Sequence, residues 1–247
     1  MYFQGSYHDA YKAHSKGYTA ALEGADSRLM TQSRIWQAII LKSQQSYEKA
    51  AHTIDAALRL ASAEEGIEGI RTRAQLLSAH AENAALVRDT QMVQQRLGEA
   101  EELLEYLVEP NEVFDKASWY EMAGLCAIHA QHCDNALHYL QQAASMLPSQ
   151  WLLRNATVMT SLTIAYAQLR EKEKCIETIQ KTVPFIQSLN APGTNRQFFT
   201  YTTCAVREAF PDDTNICELI QDVQKQLSVS KHPRLLDENR KTGHSSL

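Results

Sequence analysis

Glycine and proline are scarce in this sequence, with 9 and 6 of 247 residues. All-β architectures with many tight turns need more of both, so this composition disfavours them. No apolar run approaches the roughly 18 residues that a membrane-spanning helix requires, and the N-terminus lacks the charged start and apolar middle of a secretory signal. The 24 basic and 29 acidic residues give a net charge of −5, which disfavours bulk attraction to nucleic-acid phosphates.

Cysteine is also infrequent, and no two cysteines form a CxxC pair. The five are Cys126, Cys133, Cys175, Cys204 and Cys217. Such an odd, scattered set fits a reducing compartment, so we expect a cytoplasmic protein. Residues 1–6, MYFQGS, resemble the remnant of a protease site from an expression vector, so the fold prediction begins at residue 7. The sequence then opens at Tyr7 without a methionine, so we expect a piece of a longer protein.

Apolar residues recur at the helical period through almost the whole chain. Ile54, Ala57 and Leu58, for example, fall on one face of a helix. No stretch alternates apolar and polar residues for long enough to predict a strand. Turn signals occur near Pro110, Pro148, Pro192 and Pro211. We therefore predict an all-α fold with about eleven helices.

One helical pattern returns at a nearly constant interval. A small or compact residue stands near the start of four helices, at Ala50, Val93, Ala136 and Cys175, with separations of 43, 43 and 39 residues. Each is followed four residues later by an apolar residue. A helical hairpin that recurs in this way cannot bury its apolar face alone, but stacked hairpins can. The prediction is an α–α superhelix of about five hairpins over residues 7–228.

The repeat resembles the tetratricopeptide repeat. The third unit matches that pattern best, at Tyr120, Ala123, Gly124, Ala127, Ala136, Leu140, Ala143 and Pro148. The fourth unit lacks the glycine and has Cys175 in place of the usual alanine, and the second is degenerate. The resemblance covers residues 27–190, with 194–228 as a fifth hairpin or cap, and the units are longer than is common. It implies a non-catalytic module that binds proteins or peptides.

The long repeat and the polar tail at 229–247 are similar to the sensor regions of bacterial transcriptional regulators and signalling ATPases. This looser resemblance implies that the chain is the sensory or regulatory part of a larger protein. In such a part, occupancy of the groove would alter the pitch of the superhelix, and an effector domain elsewhere would respond.

The tetratricopeptide resemblance also implies a concave groove lined by the first helix of each unit. The groove positions carried over are Gln32, Ile35, Trp36, Ile39, Gln75, Ser78, Glu82, Glu121, Leu125, Ile128, His129, Thr160, Ser161, Ile164 and Gln168. Their mixture of aliphatic, aromatic and amide side chains suits a bound peptide or amphipathic helix. The alternative is that the apolar ones belong to the core. The cationic clamp of chaperone-adaptor repeats is missing, so a C-terminal carboxylate would meet Glu82 and Glu121 without a cation.

The sequence motifs that could support catalysis or metal binding are few. Cys126, His129 and Cys133 have the spacing of one helix face, with His132 and His138 nearby, and zinc binds such side chains. A turn is predicted near residue 132, however, and it would separate these groups. We therefore expect no metal and no cofactor. No GxSxG, HExxH or GxxxxGK[ST] motif occurs, so we expect that the chain is not an enzyme.

A passive scaffold or oligomerisation adaptor is the alternative function. Phe198, Phe199 and Tyr201 fall near the open end of the array. Aromatic side chains exposed there would favour a homodimer through the C-terminal hairpin, or the docking of another domain. We expect no direct nucleic-acid binding and no membrane contact for this fragment.

Overall fold

Residues 7–189 and 192–229 are described by the computed structural model, with side chains for 7–189 and 199–227. Within these ranges the chain forms eleven helices and no strand, so the predicted all-α class is confirmed. The helices are α1 (Tyr7–Glu23), α2 (Ser27–Ser43), α3 (Tyr47–Ala61), α4 (Gly66–Leu86), α5 (Thr90–Leu104), α6 (Lys116–His129), α7 (Cys133–Met146), α8 (Leu152–Gln168), α9 (Lys172–Ser188), α10 (Pro192–Ala209) and α11 (Thr214–Val229). None of the described helices has both the length and the apolar character needed to cross a membrane.

After α1, the helices pair into five consecutive hairpins, α2–α3 to α10–α11, which stack as an α–α superhelix. The turn inside each of the first four hairpins contains a residue in the left-handed region. These residues are Gln45, Arg88, Gln131 and Arg170, with φ between 58° and 62°, and they recur after 43, 43 and 39 residues. The predicted interval of the repeat is therefore confirmed.

Small residues allow the two helices of a hairpin to approach closely. Ala136 of α7 is fully buried, as the repeat register predicts. Gly124 of α6 lies against Leu140 of α7 so closely that an added Cβ would come within 2.6 Å of the leucine Cγ. Since packed carbon atoms lie about 3.5–4.0 Å apart, no larger residue fits there without displacement.

The first helices of successive hairpins stack unevenly. α4 packs closely on α6, and α8 on α10, whereas α2 and α4 stand apart. The connection between α5 and α6, residues 105–115, is much longer than the other turns. Its final residue, Asp115, accepts a hydrogen bond from the Ser118 N–H at 2.9 Å and so caps α6. The gap beside α2 and this ordered connection together create the candidate site.

Candidate functional site

A cavity of about 290 Å³ lies between α2, α4 and α6, with the 105–115 connection on one side. Its walls are largely apolar, and they include Ile35, Ile39, Leu76, Val113, Phe114 and Met122. Polar groups also line it, among them Lys42, Gln75, Glu82, Asn83, Glu121 and Arg154. Apolar walls with a few polar side chains are the usual composition of a binding site.

Five of the groove positions carried over from the sequence line this cavity: Ile35, Ile39, Gln75, Glu82 and Glu121. They come from three different helices, so the hairpin stacking has brought together residues that are far apart in the chain. Ile35 is itself buried and also packs in the core against α3. A binding role for the five stays a prediction.

Other expected groove positions belong to the helix packing instead. Leu125, Ile128 and Ile164 pack in the cluster around Leu140, which is the alternative considered for apolar positions. Ile128 is buried, whereas Leu125 and Ile164 are partly buried, and a groove role for these three stays a prediction. The side chain of Trp36 lies against α1, where its ring stacks on the ring of His14 with centroids 5.7 Å apart.

The small hydroxyl residues among the expected groove positions are buried. Ser78 is completely buried, and Thr160 and Ser161 are 5% and 3% exposed. Ser161 Oγ donates to the carbonyl oxygen of Thr157 at 3.1 Å, so the backbone of its own helix satisfies it. These side chains fill space between helices and do not line the cavity.

Three further positions lie outside the cavity. Gln32 is exposed, and Gln168 is exposed and accepts a hydrogen bond from Cys133 Sγ at 3.1 Å. His129 lines a second cavity, of about 370 Å³, between the α4–α5 and α6–α7 hairpins. Cys126 is buried beside it, and burial together with Glu82 raises the pKa of this thiol to about 12. The thiol therefore stays protonated. Within the described ranges, no three His, Cys, Asp or Glu side chains converge as a metal site requires.

Cations are present at the cavity between α2, α4 and α6, contrary to the expectation for Glu82 and Glu121. Lys42 of α2 forms an ion pair with Glu82 of α4 across the cavity wall. Arg154 of α8 donates to Asp115 Oδ1 at 2.8 Å and also lines the cavity. The statement that an anion would meet these acids without a cation was therefore wrong, although both cations already have carboxylate partners.

Arg154 holds the connection in place. Its Nη1 donates to the carbonyl oxygen of Asn111 at 2.9 Å, and its Nη2 to Ser118 Oγ at 2.8 Å. Arg71 adds a bond of 2.6 Å to the carbonyl oxygen of Phe114. Burial alone would raise the pKa of Asp115, but hydrogen bonds from Arg154, Ser118 and Asn111 outweigh it and hold that pKa below its usual range. The carboxylate is thus ionised and bonded on several sides.

Glu121 has the opposite environment. Its pKa is raised to about 7, chiefly by burial and also by the neighbouring carboxylates of Glu82 and Asp115, although Arg154 opposes the shift in part. No described residue forms a hydrogen bond or ion pair with Glu121. A partly buried carboxyl group without a partner, in the wall of an apolar cavity, is a feature expected of binding sites.

Sequence reasoning missed Arg154, Asn83 and the 105–115 connection. One signal was available for the connection: Asp115 followed by Ser118 has the spacing of a capping box, which predicts an ordered entry into α6. Asn111 supplies another, since its side chain accepts from the Val113 N–H at 2.8 Å as turn-forming asparagines do. The pairing of Arg154 with Asp115, 39 residues away, has no local signal.

The C-terminal aromatic residues differ in how far their side chains are exposed. Phe199 is partly buried against the core cluster of α9 to α11, so it does not form an exposed patch. Tyr201 is 58% exposed. The side chain of Phe198 lies outside the described residues.

No protein-family model matches the chain, and no curated protein matches it. Among solved structures, the fold is similar to the crystal structure of BtubC (BKLC) from P. vanneervenii. The TM-score is 0.63, the alignment covers 98% of each chain, and the sequences are 14% identical. At this identity, the likeness shows a shared fold.

Proposed function

We propose that this chain is a non-catalytic module of the tetratricopeptide type, which binds a segment of a partner protein at the cavity between α2, α4 and α6. The observation that carries the proposal is an apolar cavity with polar groups that have no partner within the described chain. Its volume of about 290 Å³ is small for a cofactor or a drug-sized ligand and suits one or two inserted side chains.

A regulatory role follows from where the occupant would sit. It would contact three helices and the 105–115 connection, and so would favour one arrangement of α2 relative to α4. Small rotations between units add up along a superhelix, which allows an effector domain to respond to binding. We place this role in a larger bacterial signalling or transcription-regulating protein, in the cytoplasm, because all five cysteines are free.

Selection of displayed random 12-residue peptides tests the binding function. The protein would be compared with Ala79→Trp, in which a large ring fills the cavity from α4. The matched control is Gln142→Trp, which adds the same ring at an exposed position of α7. We expect peptides that bind the unchanged protein and the control but lose at least tenfold in affinity for Ala79→Trp. Peptides that bind all three proteins equally would refute the proposal.

A homodimer through the C-terminal hairpin, acting as a scaffold, is the second candidate, favoured by the exposure of Tyr201 on α10. Sedimentation equilibrium would test it. A dimer that dissociates when Tyr201→Glu places a charge on this surface supports the scaffold. A monomer at all concentrations excludes this dimer.

A further inference from the structure

One hydrogen-bond acceptor in the cavity wall is buried without a donor. Asn83 of α4 is only 3% exposed. Its Nδ2 donates to the carbonyl oxygen of Tyr47 at 3.0 Å, which fixes the orientation of the amide, because the reverse orientation would place two oxygens together. Oδ1 is then left buried with no donor among the described residues. A buried acceptor in this state is costly, and a ligand that supplies a donor would recover that cost.

Glu121 of α6 is the second acceptor without a partner in the described part of the chain, and it is negatively charged when ionised. The cations of the cavity do not neutralise it, since Lys42 is paired with Glu82 and Arg154 with Asp115. Of the carboxylates in the wall, Glu121 and the exposed Glu112 have no ion pair in the described chain. The cavity therefore has an excess of negative charge and of acceptors.

We propose that the partner segment inserts an apolar side chain into the cavity and places an arginine or lysine side chain against Glu121 and Asn83. This inference rests on the proposed binding function and names the chemistry of its ligand. A guanidinium or ammonium group has several donors and a positive charge, and it satisfies both acceptors at once. A segment with an acidic or purely apolar side chain would instead bury the Glu121 charge without compensation.

Affinity for such a segment depends on pH. Since the pKa of Glu121 is raised to about 7, the carboxyl is mostly neutral at pH 6 and mostly ionised at pH 8. An arginine peptide, whose own charge is constant, should bind about tenfold more tightly at pH 8 than at pH 6. The other charged groups at the cavity are Lys42 on α2, Glu82 on α4, Glu112 and Asp115 on the connection, and Arg154 on α8. His129 of α6 contributes little to this change, because burial lowers its pKa and it is neutral over most of this range.

The test starts from displayed 12-residue peptides that bind the unchanged protein but not Ala79→Trp. One such peptide is synthesised with each arginine or lysine in turn replaced by citrulline or norleucine, which are neutral and of similar size. We expect one replacement to weaken binding to the unchanged protein about tenfold or more, and to have little effect on binding to Glu121→Gln. Glu102→Gln, at an exposed position on α5, should behave as the unchanged protein does.

The outcomes separate this inference from the function on which it rests. If no selected peptide depends on the cavity, the proposed function and the inference are both refuted. If cavity-dependent peptides lack a basic residue, or if the neutral replacement weakens binding to Glu121→Gln as much, only the inference is overturned. A pH-independent affinity for the unchanged protein would overturn it as well, without requiring any variant to fold.

Discussion

Replacing Gly124 by alanine tests the packing of the α6–α7 hairpin on which the stack depends. The added Cβ would lie 2.6 Å from Leu140 Cγ and 2.8 Å from Cδ2. Leu140 is fully buried, so it can move only by displacing other core atoms. Relief of the clash requires a shift of about 1 Å, and overpacking of this kind costs about 1–3 kcal/mol.

The chain offers a matched control in Gly98→Ala. Gly98 lies inside α5, and an added Cβ there meets no atom of the described residues within 4 Å. Alanine is favoured over glycine in a helix by about 0.8–1.0 kcal/mol, so this variant should be more stable than the unchanged protein. The same gain offsets part of the strain in Gly124→Ala, which leaves a net loss of up to about 2 kcal/mol. The two substitutions are chemically identical and should shift stability in opposite directions.

Urea unfolding followed by circular dichroism would measure both shifts, and amide exchange in α6 and α7 would locate the weakened segment. The double variant Gly124→Ala/Leu140→Ala should lose less stability than the two single losses added together, because removal of the leucine atoms also removes the clash. Equal stabilisation by Gly124→Ala and Gly98→Ala would refute the close crossing of α6 and α7.

Three further variants test the environment of individual residues, and the midpoint of urea unfolding measures the change in stability of each. Arg154→Leu should lower the free energy of unfolding by about 3 kcal/mol at pH 7, because the Asp115 carboxylate stays buried without its cation. This loss should become smaller at acid pH, where the Asp115 carboxyl is protonated. Gln131→Gly should stabilise by about 1 kcal/mol, because φ is 61° there, whereas Gln141→Gly inside α7 should destabilise by about as much. The pKa of Glu121 is raised to about 7 in the folded protein, so the fold loses stability as pH rises above the ordinary pKa of a glutamate. Glu121→Gln should therefore stabilise the protein by on the order of 1–3 kcal/mol at pH 8, and by little near pH 4. Equal effects at both pH values would contradict this environment for Glu121.

Helical periodicity was enough to predict the fold because each hairpin repeats the same packing problem. The small residues Ala50 and Ala136 mark helix crossings, and both are fully buried. The separations of 43, 43 and 39 residues that they helped to define reappear in the left-handed turn residues. These features are local, or depend on the adjacent helix of the same hairpin, and a sequence pattern can record such contacts.

Residue polarity was a poor guide to the surface of the inner helices. Ser78 and Ser161 are polar, yet they are buried, because a first helix is enclosed by its own hairpin partner and by the next unit. Ser161 Oγ bonds to the preceding turn of its helix, so its burial costs little, whereas Ser78 Oγ is buried without a hydrogen-bond partner among the described residues. Polarity in such a helix therefore does not distinguish a groove position from a packing position.

The site itself depends on contacts between distant units, which no short pattern contains. α2 and α4 stand apart, and the 105–115 connection borders the space between them. Arg71 of α4 and Arg154 of α8 hold that connection by its backbone from two different hairpins. The shape of the cavity is thus set by α8 as well as by the helices that line most of it. An occupant of the cavity would therefore contact the same connection that Arg154 of the fourth hairpin holds.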